Sequence, residues 1–461
     1  MTSVGFMEDQ SGATVQKLDR GMGLAGAMSA NILNMVGIGP FLTIPLALAA
    51  MGGPQAMLGW MVGALLCLCD GLVWAELGSR LPQSGGPYHY LLQAFGPESW
   101  GRPISFLFLW QSLLIGPISI ASGAVGFGEY ANFLFPHLRH SELVLIAMGL
   151  CLLSTALLYR NIRSISLVSI VVTTAVLGTC GWIICSGVTH FHRAIAFSFP
   201  ANAFHLSRPF WFGLGSATLI AVYDYGGYNN VCLIGEEVRD PRKNIPRAVI
   251  YSIVLVAILY LGMNLSILGT VPWQQGQHSK AIVADFMQIL YGRRGGVLVA
   301  GLILIASWGS VFAILLGFSR IPYTAAVDGN FFKPFARLHP TGRFPSTSLL
   351  FMGGLSVVAC LFSLADLISV LIVVQTMFQF AAQCVAVILL RRKEAGPPDA
   401  FRMPLYPLPA LIALVGWTYI VISSRPAHIG IGLVMAVAGV GIYLLQAQRK
   451  REWPFLAPEE L

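Results

Sequence analysis

Between Tyr223 and Ala248 the chain reads YDYGGYNNVCLIGEEVRDPRKNIPRA, and Asp224 stands there inside an apolar run, about 209–235, just before the paired glycines Gly226 and Gly227. An acid in such a run can bind a cationic ligand, exchange a proton, or cap a broken helix by accepting backbone hydrogen bonds. All three readings stay open. Asp70, in the apolar run 55–79, is a second acid of this kind, suited to proton relay or to an interhelical hydrogen bond. Val36-Gly37-Ile38-Gly39-Pro40 interrupts the first apolar run of the chain. Proline removes a backbone donor and clashes with the preceding turn, and glycine permits unusual dihedrals. A helix broken there presents the amides of Gly37, Ile38 and Gly39 to an anion, at the positive end of its second half. Tyr223, Asp224 and Tyr225 would place carbonyls, at the end of another half-helix, against an ammonium group. Ser307 and Ser310, in the run 296–321, offer hydroxyls that could ligate sodium with backbone carbonyls. His190 and His192 have a spacing that can hold a metal but lie in a polar loop, and are read as solvated. The chain carries no zinc signature, phosphate-cradling loop or nucleophile–base pair, so no cofactor and no enzymatic activity are expected.

These residues need apolar elements to hold them. Of 461 residues 56% are hydrophobic and 10% charged, against about 25% charged in soluble domains. Apolar runs long enough to cross a bilayer recur near 22–50, 55–79, 103–127, 141–159, 164–187, 209–235, 246–271, 296–321, 346–364, 366–391, 407–424 and 428–446. The expected class is an all-α polytopic membrane protein of twelve spans, with the lipid bilayer as its surroundings. Lipid offers no hydrogen-bond partners to the backbone. Breaks in spans one and six, five apart, therefore suggest an inverted repeat around a central cavity, as in secondary transporters. The organisation expected is a tail at 1–21, a core at 22–391 (repeats 22–187 and 209–391), two further spans within 407–446 and a tail at 447–461.

Basic residues accumulate on the cytoplasmic side of membranes. With the N-terminus inside, only Arg139, Arg193, Arg208, Lys280, Arg293, Arg294 and Arg425 face outward, leaving 21 of the 28 Lys and Arg inside. Both termini are expected in the cytoplasm, and the net charge of +8 reflects inner loops rather than a nucleic-acid surface. The polar first twenty residues predict no cleaved signal. The eight cysteines fall in or beside the spans, without a CxxC pair, and read as core thiols.

Several motifs carry a family resemblance. Gly37-Ile38-Gly39 comes first. Ala75-Glu76-Leu77-Gly78-Ser79-Arg80-Leu81-Pro82, with Ser84-Gly85-Gly86-Pro87-Tyr88 and Ala94-Phe95-Gly96, follows span two. Glu236-Glu237-Val238 through Asn244-Ile245-Pro246-Arg247-Ala248 follows span six. Ser319-Arg320-Ile321-Pro322-Tyr323 with Asp328-Gly329, and the stretch from Arg391-Arg392 to Pro404, come later. In this order they resemble the amino acid–polyamine–organocation superfamily. Tyr225-Gly226-Gly227-Tyr228-Asn229 is similar to the light subunits of heteromeric amino acid exchangers and their bacterial relatives. The resemblance implies a LeuT-like 5+5 inverted repeat with two additional helices, moving amino acids across the cell membrane by alternating access, through exchange or proton coupling. It places the substrate at Val36, Gly37, Ile38, Gly39, Tyr223, Asp224, Tyr225, Gly226 and Gly227, with Tyr223 as an aromatic gate. Gln375 and Phe378 are candidates for the side-chain pocket. Asp70, Asp224, Ser307 and Ser310 are the coupling candidates.

The chain departs from that pattern in three places. Asp224 replaces a small neutral residue. The run from Ser164 to His190 lacks the lysine of some proton-coupled relatives. The short loop from Pro136 to Ser141 lacks a cysteine for a covalently linked heavy subunit, so none is expected. Transport of a polyamine or other organic cation stays as an alternative, and a transporter-like amino acid sensor is the reading from another class. Proton coupling and exchange are preferred to sodium. Glu76 is expected to pair with Arg80 one turn on.

Overall fold

A computed structural model describes residues 21–159, 162–340, 344–393 and 396–455. Residues 1–20 and 456–461 of the two expected tails lie outside them, as do Arg160 and Arg343. The helices in order are α1 (Leu24–Met35), α2 (Gly39–Leu42), α3 (Ile44–Met51), α4 (Met57–Arg80), α5 (Pro87–Phe95), α6 (Gly101–Leu134), α7 (His140–Leu158) and α8 (Ile162–Thr189). The short α9 (Arg193–Ala196) precedes α10 (Arg208–Tyr225), α11 (Asn230–Leu233), α12 (Pro241–Leu268), α13 (Trp273–Gly276), α14 (Ile282–Phe318) and α15 (Arg320–Val327). The chain ends with α16 (Ser346–Ala359), α17 (Leu364–Gln375), α18 (Ala381–Lys393), α19 (Leu408–Ser423) and α20 (Pro426–Lys450).

The protein is all-helical, with many apolar helices. Among the described residues nine helical stretches are long and apolar enough to cross a membrane. The expected spans at 346–364 and 407–424 appear as the shorter apolar helices α16 and α19, and the run 209–235 is divided between α10 and α11. Enclosure grades inward: the stretch from Leu24 to Leu42 is mostly buried, whereas α20 lies mostly on the surface.

Small residues bring the central helices together. A Cβ added at Gly59 would lie 2.6 Å from the Ala217 methyl, and one at Gly63 would lie 2.9 Å from that of Ala221. Such contacts let α4 and α10 approach closely, which is how helices associate where water supplies no driving force. Extensive packing also joins α4 to α12, α6 to α14 and α7 to α16. In the sequence numbering these are spans two with seven, three with eight and four with nine.

At one end of the bundle the basic loops gather. The Arg320 and Glu237 side chains, each 3% exposed, pair at 3.1 Å. Arg391 grips Glu76 through two hydrogen bonds of 2.7 and 2.6 Å, with Arg80 at 3.5 Å from the same acid. Arg80 is thus the lesser partner of Glu76, because Arg391 approaches with a bidentate geometry. Met22 pairs with the loop after α11, receiving the Arg239 amide at 2.8 Å and donating to the Glu237 carbonyl at 3.0 Å. All eight cysteines are free thiols, and all except Cys185 are buried.

Candidate functional site

The first apolar run breaks after Met35, where the Val36 amide still closes the last turn onto the Ile32 carbonyl at 2.6 Å. Helical geometry resumes at Gly39, so Val36, Gly37 and Ile38 form the gap. The second break falls a little later than the sequence reading placed it. Helix α10 runs on through Asp224 and Tyr225, and the gap covers Gly226 to Asn229. Gly227 has φ +111°, and a Cβ there would lie 2.7–2.9 Å from Asn34 atoms. Glycine is required on both counts.

Backbone groups released by the breaks find partners on neighbouring helices. Tyr260 donates its hydroxyl to the Met35 carbonyl at 2.7 Å, and Tyr130 donates to that of Phe41 at 2.9 Å. Asn31 accepts the Val231 amide at 2.9 Å, and the Asn230 side chain donates to the Ala30 carbonyl at 3.2 Å. These bonds tie one break to the other across the bundle, and they satisfy polar groups that lipid would leave bare.

Between the breaks lies a small cavity lined by residues of both. Of the predicted substrate-site residues, Gly37, Ile38, Gly39, Tyr223, Asp224, Gly226 and Gly227 line it. Val36 and Tyr225 do not. Val36 is fully buried, and Tyr225 packs edge-on against Trp60 and beside Tyr260, because its place on α10 turns it toward α4 and α12. Gln375 lines the cavity and Phe378 does not. A π-helical turn at Thr376–Phe380 presents Gln379 and Phe380 there instead. Such turns recur at functional sites. Gln379 is held from behind by Gln111, which donates to it at 3.1 Å.

Asp224 accepts a hydrogen bond on Oδ2 from the Thr43 hydroxyl. Its Oδ1 lies against Gly39, where a Cβ would collide with it. The Tyr223 hydroxyl donates to Ser122 Oγ at 3.0 Å, joining α10 to α6 over one side of the cavity. Leu233, Phe318 and Ile321 line it toward the basic end. Of the two serines, Ser310 lines the cavity beside Gly37, whereas Ser307 donates to the Gly123 carbonyl at 2.9 Å, toward α6. Among the described residues no group of three or more His, Cys, Asp or Glu is arranged to hold a metal. His190 has its Nδ1 within 3.0 Å of the Ser186 carbonyl, at the end of its own helix.

Asp70 lies one layer behind the cavity wall. It is fully buried and accepts from the Tyr228 hydroxyl at 2.6 Å and from the Trp417 indole at 3.0 Å. Both donors line the cavity, and Trp417 also stacks on Phe380 with ring centres 4.3 Å apart. Sequence reasoning gave no role to Thr43, Ser122, Tyr228, Gln379 or Trp417. Thr43 had one usable signal, its position four residues after Gly39. Trp417 had none, since α19 lies outside the expected ten-span core.

Comparison with known proteins gives the family. A family model described as amino acid permease matches residues 24–444. The serine/threonine exchanger SteT of Bacillus subtilis is 26% identical over 94% of this chain and 98% of its own length. The large neutral amino acids transporter small subunit 2 of Homo sapiens is 29% identical over 95% of this chain and 82% of its own. The Asc-type amino acid transporter 1 of Mus musculus is 26% identical over 93% and 81%. With two broken helices around a buried cavity and a match along nearly its whole length, the chain belongs to the amino acid permease family.

Proposed function

We propose that this protein is a secondary transporter of amino acids, working by alternating access around the cavity between the two breaks. The observation that carries this reading is the convergence of Gly37–Gly39 with Tyr223, Asp224, Gly226 and Gly227 on one cavity in the middle of an apolar bundle. The amides of Gly37, Ile38 and Gly39 receive the substrate carboxylate, and carbonyls at the end of α10 receive its α-ammonium. Tyr223 is the gate on the side away from the basic end, held shut by its bond to Ser122.

The architecture we propose is a LeuT-like 5+5 inverted repeat of ten spans with two more. The packing of α4 on α12, α6 on α14 and α7 on α16 supports it, since each pair joins a span to its counterpart five further on. The chain lies in the cell membrane with both termini in the cytoplasm and acts without a covalently attached heavy subunit. Exchange is the favoured mode because a relative matched over almost its whole length is named an exchanger; proton coupling through Asp224 or Asp70 is the second. Sodium ranks lower, because of the two candidate serines Ser310 lines the cavity and Ser307 does not.

Uptake of labelled amino acids into proteoliposomes of the purified protein tests this. Leucine or serine uptake that requires internal amino acid is the expected result. Uptake driven by an imposed proton gradient without internal substrate identifies proton coupling. Binding without uptake under either condition rejects transport and leaves the sensor.

A further inference from the structure

Asp224 is 1% exposed, and its two oxygens are treated differently. Oδ2 has the Thr43 hydroxyl, whereas Oδ1 is buried without a hydrogen-bond partner although the residue lines the cavity. A carboxylate offers about four acceptor sites, and a buried acceptor left unmade is expensive. The neighbouring groups supply nothing for it. Tyr260 spends its hydroxyl on Met35 and Tyr223 spends its own on Ser122, and no lysine, arginine or histidine is among the residues lining the cavity. The donor that completes Oδ1 must arrive with the ligand.

Its charge follows from the surroundings. Helix α10, eighteen residues long, ends one residue beyond Asp224, so the negative end of its dipole faces the same space. Phe108, Phe318, Phe380, Tyr228 and Trp417 also line the cavity, and aromatic faces attract cations.

We infer that Asp224 Oδ1 is a seat for a primary ammonium on the substrate side chain, making basic amino acids or diamines the preferred substrates. This deepens the transport reading and rests on the cavity being its substrate site. The α-ammonium at the end of α10 and a second ammonium on Oδ1 give a basic amino acid one more charged contact than leucine can make, and a diamine fills both ammonium seats without the carboxylate.

The test uses the full-length protein in proteoliposomes, with lysine, putrescine and leucine, as wild type, Asp224→Asn and Asp224→Glu. Wild type should take up lysine or putrescine in preference to leucine, and the two cations separate a basic amino acid from a diamine. Asp224→Asn should lower the ratio of cation to leucine uptake at least about tenfold, and Asp224→Glu should restore part of it. An unchanged ratio in a variant that elutes as a single species overturns the inference. If Asp224→Asn does not fold, competition in wild type decides: lysine should inhibit leucine uptake at about tenfold lower concentration than norleucine, and equal inhibition overturns the inference. Leucine transport without cation preference fails this inference alone, whereas a wild type that moves none of the three, nor serine, fails the transport reading with it.

Discussion

Asp70 receives hydrogen bonds from Tyr228 and Trp417 at once, and both donors form part of the cavity wall. Removing the acid orphans two buried donors, each worth about 1–3 kcal/mol. Asp70→Leu, which removes both acceptor oxygens, should therefore lower the thermal midpoint in detergent clearly more than Trp417→Phe. The phenylalanine keeps the stack on Phe380 and loses only the indole donor, about 1 kcal/mol. The double variant should fall short of the sum, since both changes break the same contact; strict additivity would mean that Asp70 does not hold Trp417. A different acid governs pH dependence outside the apolar helices. Asp328, just past α15, is partly covered, and burial together with the nearby Glu236 carboxylate pushes it up to about 6. An unfolded aspartate titrates near 3.9, so the folded state holds this proton more tightly. Its contribution is thus complete below about pH 4 and is lost as pH rises through about 6. Asp328→Asn should remove that part of the fall in melting temperature between acidic and neutral pH. A pH profile identical to wild type would reject the assignment.

Each break is built by a few local residues and then held by distant ones. Gly and Pro in Val36–Pro40, and Gly226 with Gly227, make interruption predictable because these residue types remove a donor or allow φ values closed to others. Where each gap begins was less legible. Asp224 and Tyr225 stay helical because the chain does not need to turn until Gly227, whose φ of +111° brings it against Asn34. Gly227→Ala should accordingly abolish uptake, by strain and by collision with Asn34, while the protein still inserts; Gly226→Ala, at φ −59°, should be milder. Equal activity of the two variants, corrected for protein amount, would show that the gap does not depend on Gly227. The π-helical turn at Thr376–Phe380 was not foreseen at all. Its residues look like any apolar span with scattered glutamines, so the choice of Gln379 over Phe378 for the cavity was invisible from spacing.

At the scale of the molecule, the two ends of the described chain meet the same face of the bundle. Met22 pairs with the loop after α11, and Lys450 donates to the Gly329 carbonyl at 2.8 Å beyond α15. Epitope tags at either terminus should therefore stain only after permeabilisation, and a tag in the loop between α8 and α10 should stain intact cells. Staining of one terminus alone in intact cells would refute the proposed orientation. The sequence by itself determined the class of protein, the two breaks and the bias of basic residues to one side. Each of these follows from a constraint acting along the chain: the length of an apolar run, the loss of a backbone donor, the charge of a loop. Only the tertiary structure decided which side chains share the cavity. Thr43 meets Asp224 across 181 residues, and Trp417 meets Asp70 across 347. Val36 and Tyr225 turn away although their neighbours face inward. Facing depends on how each helix is rotated against its neighbours, and close packing between helices sets that rotation, which no local spacing encodes.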